Sequence, residues 1–146
     1  MAIASFCPPQ AVAKCVILYL QCAPGEVVSV VRERIRDSLM PGQVLARYLL
    51  SPVNPADINV LQGTYPIRPA LPATGGGEGV AEIVATGGDT DLRPGDWVIP
   101  ARPMLGTWRS HVLNTGDDWI RVRSDMPVLG TAENILSSAA LHVLVN

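Results

Sequence analysis

A single tyrosine, Tyr65, lies in a loop that is rich in proline, in the stretch QGTYPIRPALP. Pro66, Pro69 and Pro72 each fix one backbone dihedral, so they lower the entropic cost of holding the phenol in one place. A phenol O–H donates a hydrogen bond and is a weak acid, so this tyrosine could deliver a proton to a bound molecule. The same residue could also pack against the edge of a sheet without any chemical role.

A glycine-rich turn, GGGEGV, follows this loop and carries one carboxylate, Glu78. The run precedes a predicted strand and not a helix, so it lacks the geometry with which a G-x-G-x-x-G motif or a P-loop holds phosphates. Glu78 is therefore predicted to accept hydrogen bonds from backbone amides of the turn. Asn54 and Asn59 flank a short helical segment, where capping is their expected role and cofactor contact is the alternative.

The composition is that of one globular domain, and it excludes several classes of function. The chain has 146 residues, 48% of them hydrophobic and 16% charged, which suits a single core-forming domain. With 11 Lys and Arg against 13 Asp and Glu, we expect no nucleic-acid partner. No run approaches the ~20 apolar residues of a membrane-spanning helix. Residues 1–13 are expected to form a disordered tail or the remnant of a targeting segment.

Cysteine and histidine are too few and too scattered to predict a disulfide framework or a metal site. The three cysteines lie near the N-terminus without a C-x-x-C pair, and the only histidines are His111 and His142. We therefore expect free structural thiols, a reducing compartment and no bound metal.

Short strands separated by proline and glycine turns are expected to position these groups. The predicted strands cover 15–20, 27–31, 43–50, 80–85, the end of LRPGDWVIP, and the segments GTWRSHVLN and DWIRVRS. A short helix is expected from Asn54 to Gly63, and a longer one over TAENILSSAALHVLV, with Thr131 as its N-cap. The stretch TYPIRPALPATGGG is expected to be irregular. The pattern predicts a mainly β fold, a small barrel or sandwich, and no βαβ series.

The order of four motifs carries a resemblance to a known family: PVNPADINVLQGTYP, LPATGGGEGVAEIV, LRPGDWVIP and GTWRSHVL. Together they resemble the N-terminal catalytic domain of the medium-chain dehydrogenase/reductase superfamily. The chain is most similar to the zinc-independent trans-2-enoyl-thioester reductases of mitochondrial fatty acid synthesis. The resemblance implies a GroES-like, partly open β-barrel with short helices and a C-terminal helix. In that arrangement 14–130 form the catalytic domain, and 131–146 form a helix leading to a Rossmann domain.

The resemblance also implies roles for individual residues. Tyr65 matches the tyrosine of the family's Q-G-x-Y motif, which implies that it is the catalytic proton donor. Trp108 and Arg109 match the family's GTWR pattern, which implies substrate binding, with core packing as the alternative for Trp108. Asn146 takes the place of an asparagine that contacts NADPH, the implied cofactor. Gly77 stands where zinc-using relatives have a ligand histidine and where close relatives often have asparagine, so no metal is implied.

The implied function is that of a catalytic-domain fragment of an NADPH-dependent enoyl-thioester reductase, acting on acyl-CoA esters or on acyl-ACP, the esters of acyl carrier protein. The expected Rossmann domain would lie beyond Asn146, so the chain alone is expected to be inactive. A mitochondrial location and a homodimer are implied for the intact enzyme. Two other functions stay open: a zinc-free quinone oxidoreductase, or a non-catalytic GroES-like module that acts through an exposed apolar face.

Overall fold

The computed structural model describes residues 12–17, 24–36 and 38–122 of the chain. These residues form a mainly β structure with short helices, as the sequence predicts. The strands are β1 (Val12–Ile17), β2 (Val28–Glu33), β3 (Gln43–Leu50), β4 (Ala73–Thr74), β5 (Val80–Thr86), β6 (Trp97–Pro100), β7 (His111–Thr115) and β8 (Trp119–Val122). The helices are α1 (Pro24–Val27), α2 (Pro55–Leu61) and a 3-10 helix at Gly116–Asp118. No helix in this part of the chain is long and apolar enough to cross a membrane.

The strands pair in two antiparallel sheets that meet at one point. The larger sheet has five strands in the order β7-β3-β5-β6-β8, and the smaller has three in the order β2-β1-β4. An isolated antiparallel bridge between Lys14 and Arg109 connects β1 to the segment that precedes β7. The five-stranded sheet is open, with β7 and β8 at its edges.

The first two strands confirm the predicted antiparallel pairing, with Val12 opposite Glu33 and Ile17 opposite Val28. Their boundaries differ from the prediction. β1 begins at Val12, before the predicted start of the first strand at Cys15. The helix α1 occupies Pro24–Val27, where a simple turn was expected, because proline suits the first position of a helix.

The stretch predicted to be wholly irregular contains β4, so that expectation was wrong for Ala73 and Thr74. These residues lie between Pro72 and Gly75, and both can donate to a ladder because neither is proline. Thr74 pairs with Val16 and Ala73 with Ile17, at the end of β1.

The strand predicted in GTWRSHVLN begins only at His111. Gly106 has φ of +79°, and a side chain there would lie 2.8 Å from Cβ of Thr74, so the chain turns closely past β4 before β7 starts. The predicted turn at Gly116 is confirmed as the 3-10 helix between β7 and β8. The helix predicted over 131–145, the tail 1–11 and Asn146 lie outside the described residues.

The main core covers one face of the five-stranded sheet. Along β5, Ala81, Ile83 and Ala85 are buried while the residues between them are half-buried, which is the period of two expected for a strand with one face in a core. The rings of Tyr48 and Trp119 add a tilted aromatic pair with centroids 5.9 Å apart. The alternation in GVAEIVATG therefore sets which face of the sheet is covered.

We expect Ile83→Ala to lower the free energy of unfolding by about 2–5 kcal/mol, because it leaves a cavity in the close-packed core. Ile83 is 0% exposed, and Ile67, which is 43% exposed, offers a matched control. Ile67→Ala should change stability by no more than about 0.5 kcal/mol. Urea denaturation measures both. Equal losses for the two variants would contradict the assignment of Ile83 to the core.

Candidate functional site

Tyr65 is held by the C-terminal end of α2. After the helix, Gly63 adopts φ of +69°, a conformation that favours glycine at this position. The chain then turns back, and the N–H of Tyr65 donates to the carbonyl oxygen of Asn59 at 3.1 Å. The half-buried ring packs against a buried cluster of Val27, Val60 and Leu61. Both the backbone and the ring of Tyr65 are therefore fixed by contacts with α2 and its neighbours, in addition to the prolines.

A buried carboxylate, that of Asp57, joins the start of α2 to the glycine-rich turn. Asp57 is only 3% exposed. Its Oδ2 accepts a hydrogen bond from the N–H of Asn54 at 2.8 Å, and its Oδ1 accepts one from the N–H of Gly77 at 2.9 Å. Asn54 is the N-cap of α2, as predicted. One carboxylate thus satisfies backbone donors of two segments that are distant in the sequence.

Glu78 does not have the role predicted for it. The backbone amide of Gly77 donates to Asp57, whereas Oε2 of Glu78 accepts from the side-chain amide of Asn54 at 2.9 Å. The prediction was wrong because Asp57, at the third position of α2, already lies against the turn when the helix docks. An acidic residue three positions after an N-cap asparagine is a known signal at helix starts, and it could have pointed to Asp57.

These groups line one cleft with a volume of about 360 Å³. Tyr65 forms part of its wall together with Asn54, Asp57, Gly77 and Glu78, and the segment 99–104 also lines it. Arg102, in that segment, is ion-paired with Asp118, so its charge is already balanced. The carboxylates of Asp57 and Glu78 leave the cleft acidic. It therefore suits an uncharged ligand with polar atoms better than a phosphate.

Trp108 and Arg109 do not line the Tyr65 cleft. The indole N–H of Trp108 donates to the carbonyl oxygen of Pro52 at 3.0 Å, and its ring lies against the glycine turn, where a side chain at Gly75 would come within 2.5 Å of it. An Nη of Arg109 donates to the carbonyl oxygen of Leu105 at 2.9 Å. Both residues line a second cleft that shares no lining residue with the first.

No group of three or more His, Cys, Asp or Glu side chains in the described part of the chain could hold a metal ion. Asn146, which the resemblance implies as a cofactor contact, lies outside the described residues. The structure thus brings Tyr65 together with Asn54, Asp57 and Glu78.

Residues 40–139 match the family model of the alcohol dehydrogenase GroES-like domain. The chain belongs to this family. This assignment confirms the fold class and the family resemblance that the motifs indicated.

Several relatives of this GroES-like domain are mitochondrial reductases. The chain is 50% identical over 90 residues to the human enoyl-[acyl-carrier-protein] reductase, covering 61% of this chain and 24% of the relative. It is 43% identical over 111 residues to the Xenopus tropicalis protein of the same name, covering 74% and 32%. The chain therefore spans a quarter to a third of the length of these curated relatives.

Solved structures of enoyl thioester reductases have the same fold. A mutant form of the Candida tropicalis enzyme has a TM-score of 0.78 at 30% identity, over 84% of this chain and 39% of that chain. The complex of Etr1p with NADP and crotonyl-CoA has a TM-score of 0.72 at 35% identity, over 77% and 34%.

We expect Asp57→Asn to lower the free energy of unfolding by about 1–3 kcal/mol, because an amide has one oxygen and cannot accept from both backbone donors. Amide hydrogen exchange at Asn54 or Gly77 should accelerate by more than the loss of global stability explains. Asp117, exposed in the 3-10 helix, provides the control, and Asp117→Asn should stay within about 0.5 kcal/mol. Unchanged exchange at both amides would contradict the bridging role of Asp57.

Gly76→Ala should be more destabilising than Gly88→Ala, although both glycines have similar positive φ values of +92° and +86°. A side chain at Gly76 would lie 2.3 Å from Oγ1 of Thr107 and 2.5 Å from Cδ1 of Trp108, whereas nothing lies within 4 Å at Gly88. The backbone strain is thus matched, and overpacking adds about 1–3 kcal/mol at Gly76 alone. Urea denaturation measures the difference. Equal losses would show that the indole does not press on the turn.

Proposed function

We propose that this chain is the catalytic GroES-like domain of an NADPH-dependent 2-enoyl-thioester reductase that acts on acyl-CoA or acyl-ACP esters in mitochondria. The observation that carries the proposal is the placement of the Tyr65 phenol in a cleft of about 360 Å³, with backbone and ring held by α2. The relatives named as mitochondrial enoyl reductases support the substrate class and the location.

Reduction of a 2-enoyl thioester adds a hydride to the β-carbon and a proton to the α-carbon. In the proposed reaction Tyr65 donates this proton from its phenol O–H, directly or through an ordered water. The uncharged thioester suits a cleft that already contains the Asp57 and Glu78 carboxylates. The Glu78–Asn54 hydrogen bond and the Asp57 bridge hold part of the cleft wall in place, so the substrate meets a pre-organised surface.

NADPH, when bound, supplies the hydride. The described residues do not fit its phosphates, because the Asp57 and Glu78 carboxylates repel an anion and the N–H groups of Asn54 and Gly77 already donate to Asp57. In the proposed enzyme a separate nucleotide-binding domain therefore holds the phosphates, with Asn146 as one contact. Trp108 has the indirect role of supporting the glycine turn, and the intact enzyme is a dimer.

A chimeric enzyme tests the proposal. Residues 40–122 of this chain would replace the corresponding segment of the human relative, to which the chain is 50% identical over 90 residues. We expect the chimera to oxidise NADPH with crotonyl-CoA, and Tyr65→Phe in the chimera to lower kcat by about 10²–10⁴-fold with a smaller change in KM. Absorbance of NADPH measures both.

The neighbouring hydroxyl gives the control for this experiment. Thr64 donates from Oγ1 to the carbonyl oxygen of Asn59, and Thr64→Val should leave kcat within about twofold, since an exposed hydrogen bond contributes little. A folded chimera that reduces a quinone but not crotonyl-CoA would support the quinone reductase instead. Full turnover by the Tyr65→Phe chimera would refute the assignment of Tyr65 as proton donor.

A further inference from the structure

Met104 has a backbone conformation that its residue type disfavours. Among the residues that the structure describes, two that are not glycine have a positive φ, Asp89 at +52° and Met104 at +59°. Aspartate visits this left-handed region because its short side chain can hydrogen-bond locally, whereas methionine has no such compensation. Strain of this kind persists only where the surroundings hold the residue, and it is concentrated at functional sites. The contacts of the Met104 side chain therefore indicate why it is held there.

The side chain of Met104 has the same support as the ring of Tyr65. Both are half-buried, and both pack against the buried cluster of Val27, Val60 and Leu61. Both residues also line the cleft of about 360 Å³. The thioether is therefore held in the wall of the cleft that contains the phenol.

The thioether takes the space that a side chain at position 77 would need. A Cβ added to Gly77 would lie 3.1 Å from Sδ of Met104 and 3.4 Å from Oδ1 of Asp57. Gly77 is not among the glycines with positive φ, so its backbone conformation does not require glycine. The close approach of Met104 explains the glycine instead. A side chain from position 104 thus forms the cleft wall beside Gly77.

Met104 is the adjustable part of the apolar wall. Methionine is long, unbranched and flexible, and it fills irregular gaps. The other apolar side chains of the cleft are short, rigid or fully buried: Ala56, Ile99, Pro100, Ala101 and Pro103. The free width of the cleft is therefore set by the side chain at position 104.

We propose that Met104 determines which acyl chains the Tyr65 cleft accepts, because its thioether closes the space beside Gly77 to long chains. This inference rests on the proposed reductase function. Beyond its double bond, the acyl chain of a 2-enoyl thioester is a hydrocarbon that gains free energy by leaving water for an apolar wall. A shorter side chain at position 104 makes room for a longer acyl chain.

The chimeric enzyme described above tests this role with two substrates, crotonyl-CoA and trans-2-octenoyl-CoA. Met104→Ala removes the three terminal heavy atoms of the side chain from the wall. We expect the ratio of kcat/KM for octenoyl-CoA to kcat/KM for crotonyl-CoA to rise by about tenfold or more, since a single methylene in an apolar pocket changes kcat/KM by about 10–200-fold. Absorbance of NADPH measures both reactions.

Three further variants serve as controls. Met104→Gly opens the same space without backbone strain, so it keeps the test decisive if Met104→Ala does not fold. Met104→Leu has a similar volume and should keep the original ratio. Met40, 58% exposed and outside the cleft, offers the matched substitution, and Met40→Ala should change the ratio by less than about twofold.

A measurement on the 146-residue chain tests the contact without any enzyme activity. Gly77→Ala is made in the unchanged chain and in Met104→Ala, and urea denaturation gives the unfolding equilibrium constant of each. We expect Gly77→Ala to raise this constant by at least about twofold more when the thioether is present, which is the coupling expected of residues in contact.

The possible outcomes separate this inference from the proposed function. If the chimera reduces crotonyl-CoA and neither Met104→Ala nor Met104→Gly alters the ratio, the role of Met104 is refuted and the reductase function stands. Additive effects of Gly77→Ala and Met104→Ala would likewise overturn the inference. A folded chimera that reduces neither ester would refute the reductase function, and the inference with it.

Discussion

The Asp57 carboxylate is the contact on which the Tyr65 cleft depends. It is buried, and it accepts hydrogen bonds from the backbone of the α2 N-cap and from the backbone of the glycine turn. Hydrogen bonds to an ionised acceptor are stronger than neutral ones, so this pair fixes the helix on the turn. The helix in turn holds Tyr65 through the carbonyl of Asn59. The position of the phenol is therefore set by a carboxylate that is not itself expected to react.

The ring of Trp108 explains why the turn that Asp57 contacts begins with glycines. Its ring occupies the space that side chains at Gly75 and Gly76 would need, and its N–H is anchored to Pro52, just before the N-cap of α2. The glycine turn is thus pressed between an indole on one side and a carboxylate on the other. This packing lies between the residues of the two clefts, because Trp108 lines the second cleft while Gly77 lines the first.

The sequence predicted what local patterns determine. Alternation predicted the strand β5, Pro94-Gly95 predicted the turn before β6, and the Asn54-Pro55 start with Gly63 predicted the position of α2. It did not predict β4 or the late start of β7, because both follow from contacts between segments distant in the chain. The choice between Asp57 and Glu78 as acceptor has the same origin. The sequence alone allows either carboxylate to accept from the backbone of the turn. Only the docking of α2 selects Asp57 as the acceptor.

The charged side chains of the Tyr65 cleft decide which part of a substrate it can accept. The cleft contains the Asp57 and Glu78 carboxylates, and its nearby cation, Arg102, is paired with Asp118. These carboxylates repel an anion, whereas an uncharged thioester has a low desolvation cost there. A molecule with both an uncharged reactive group and an anionic group would therefore keep its anion away from the Tyr65 phenol.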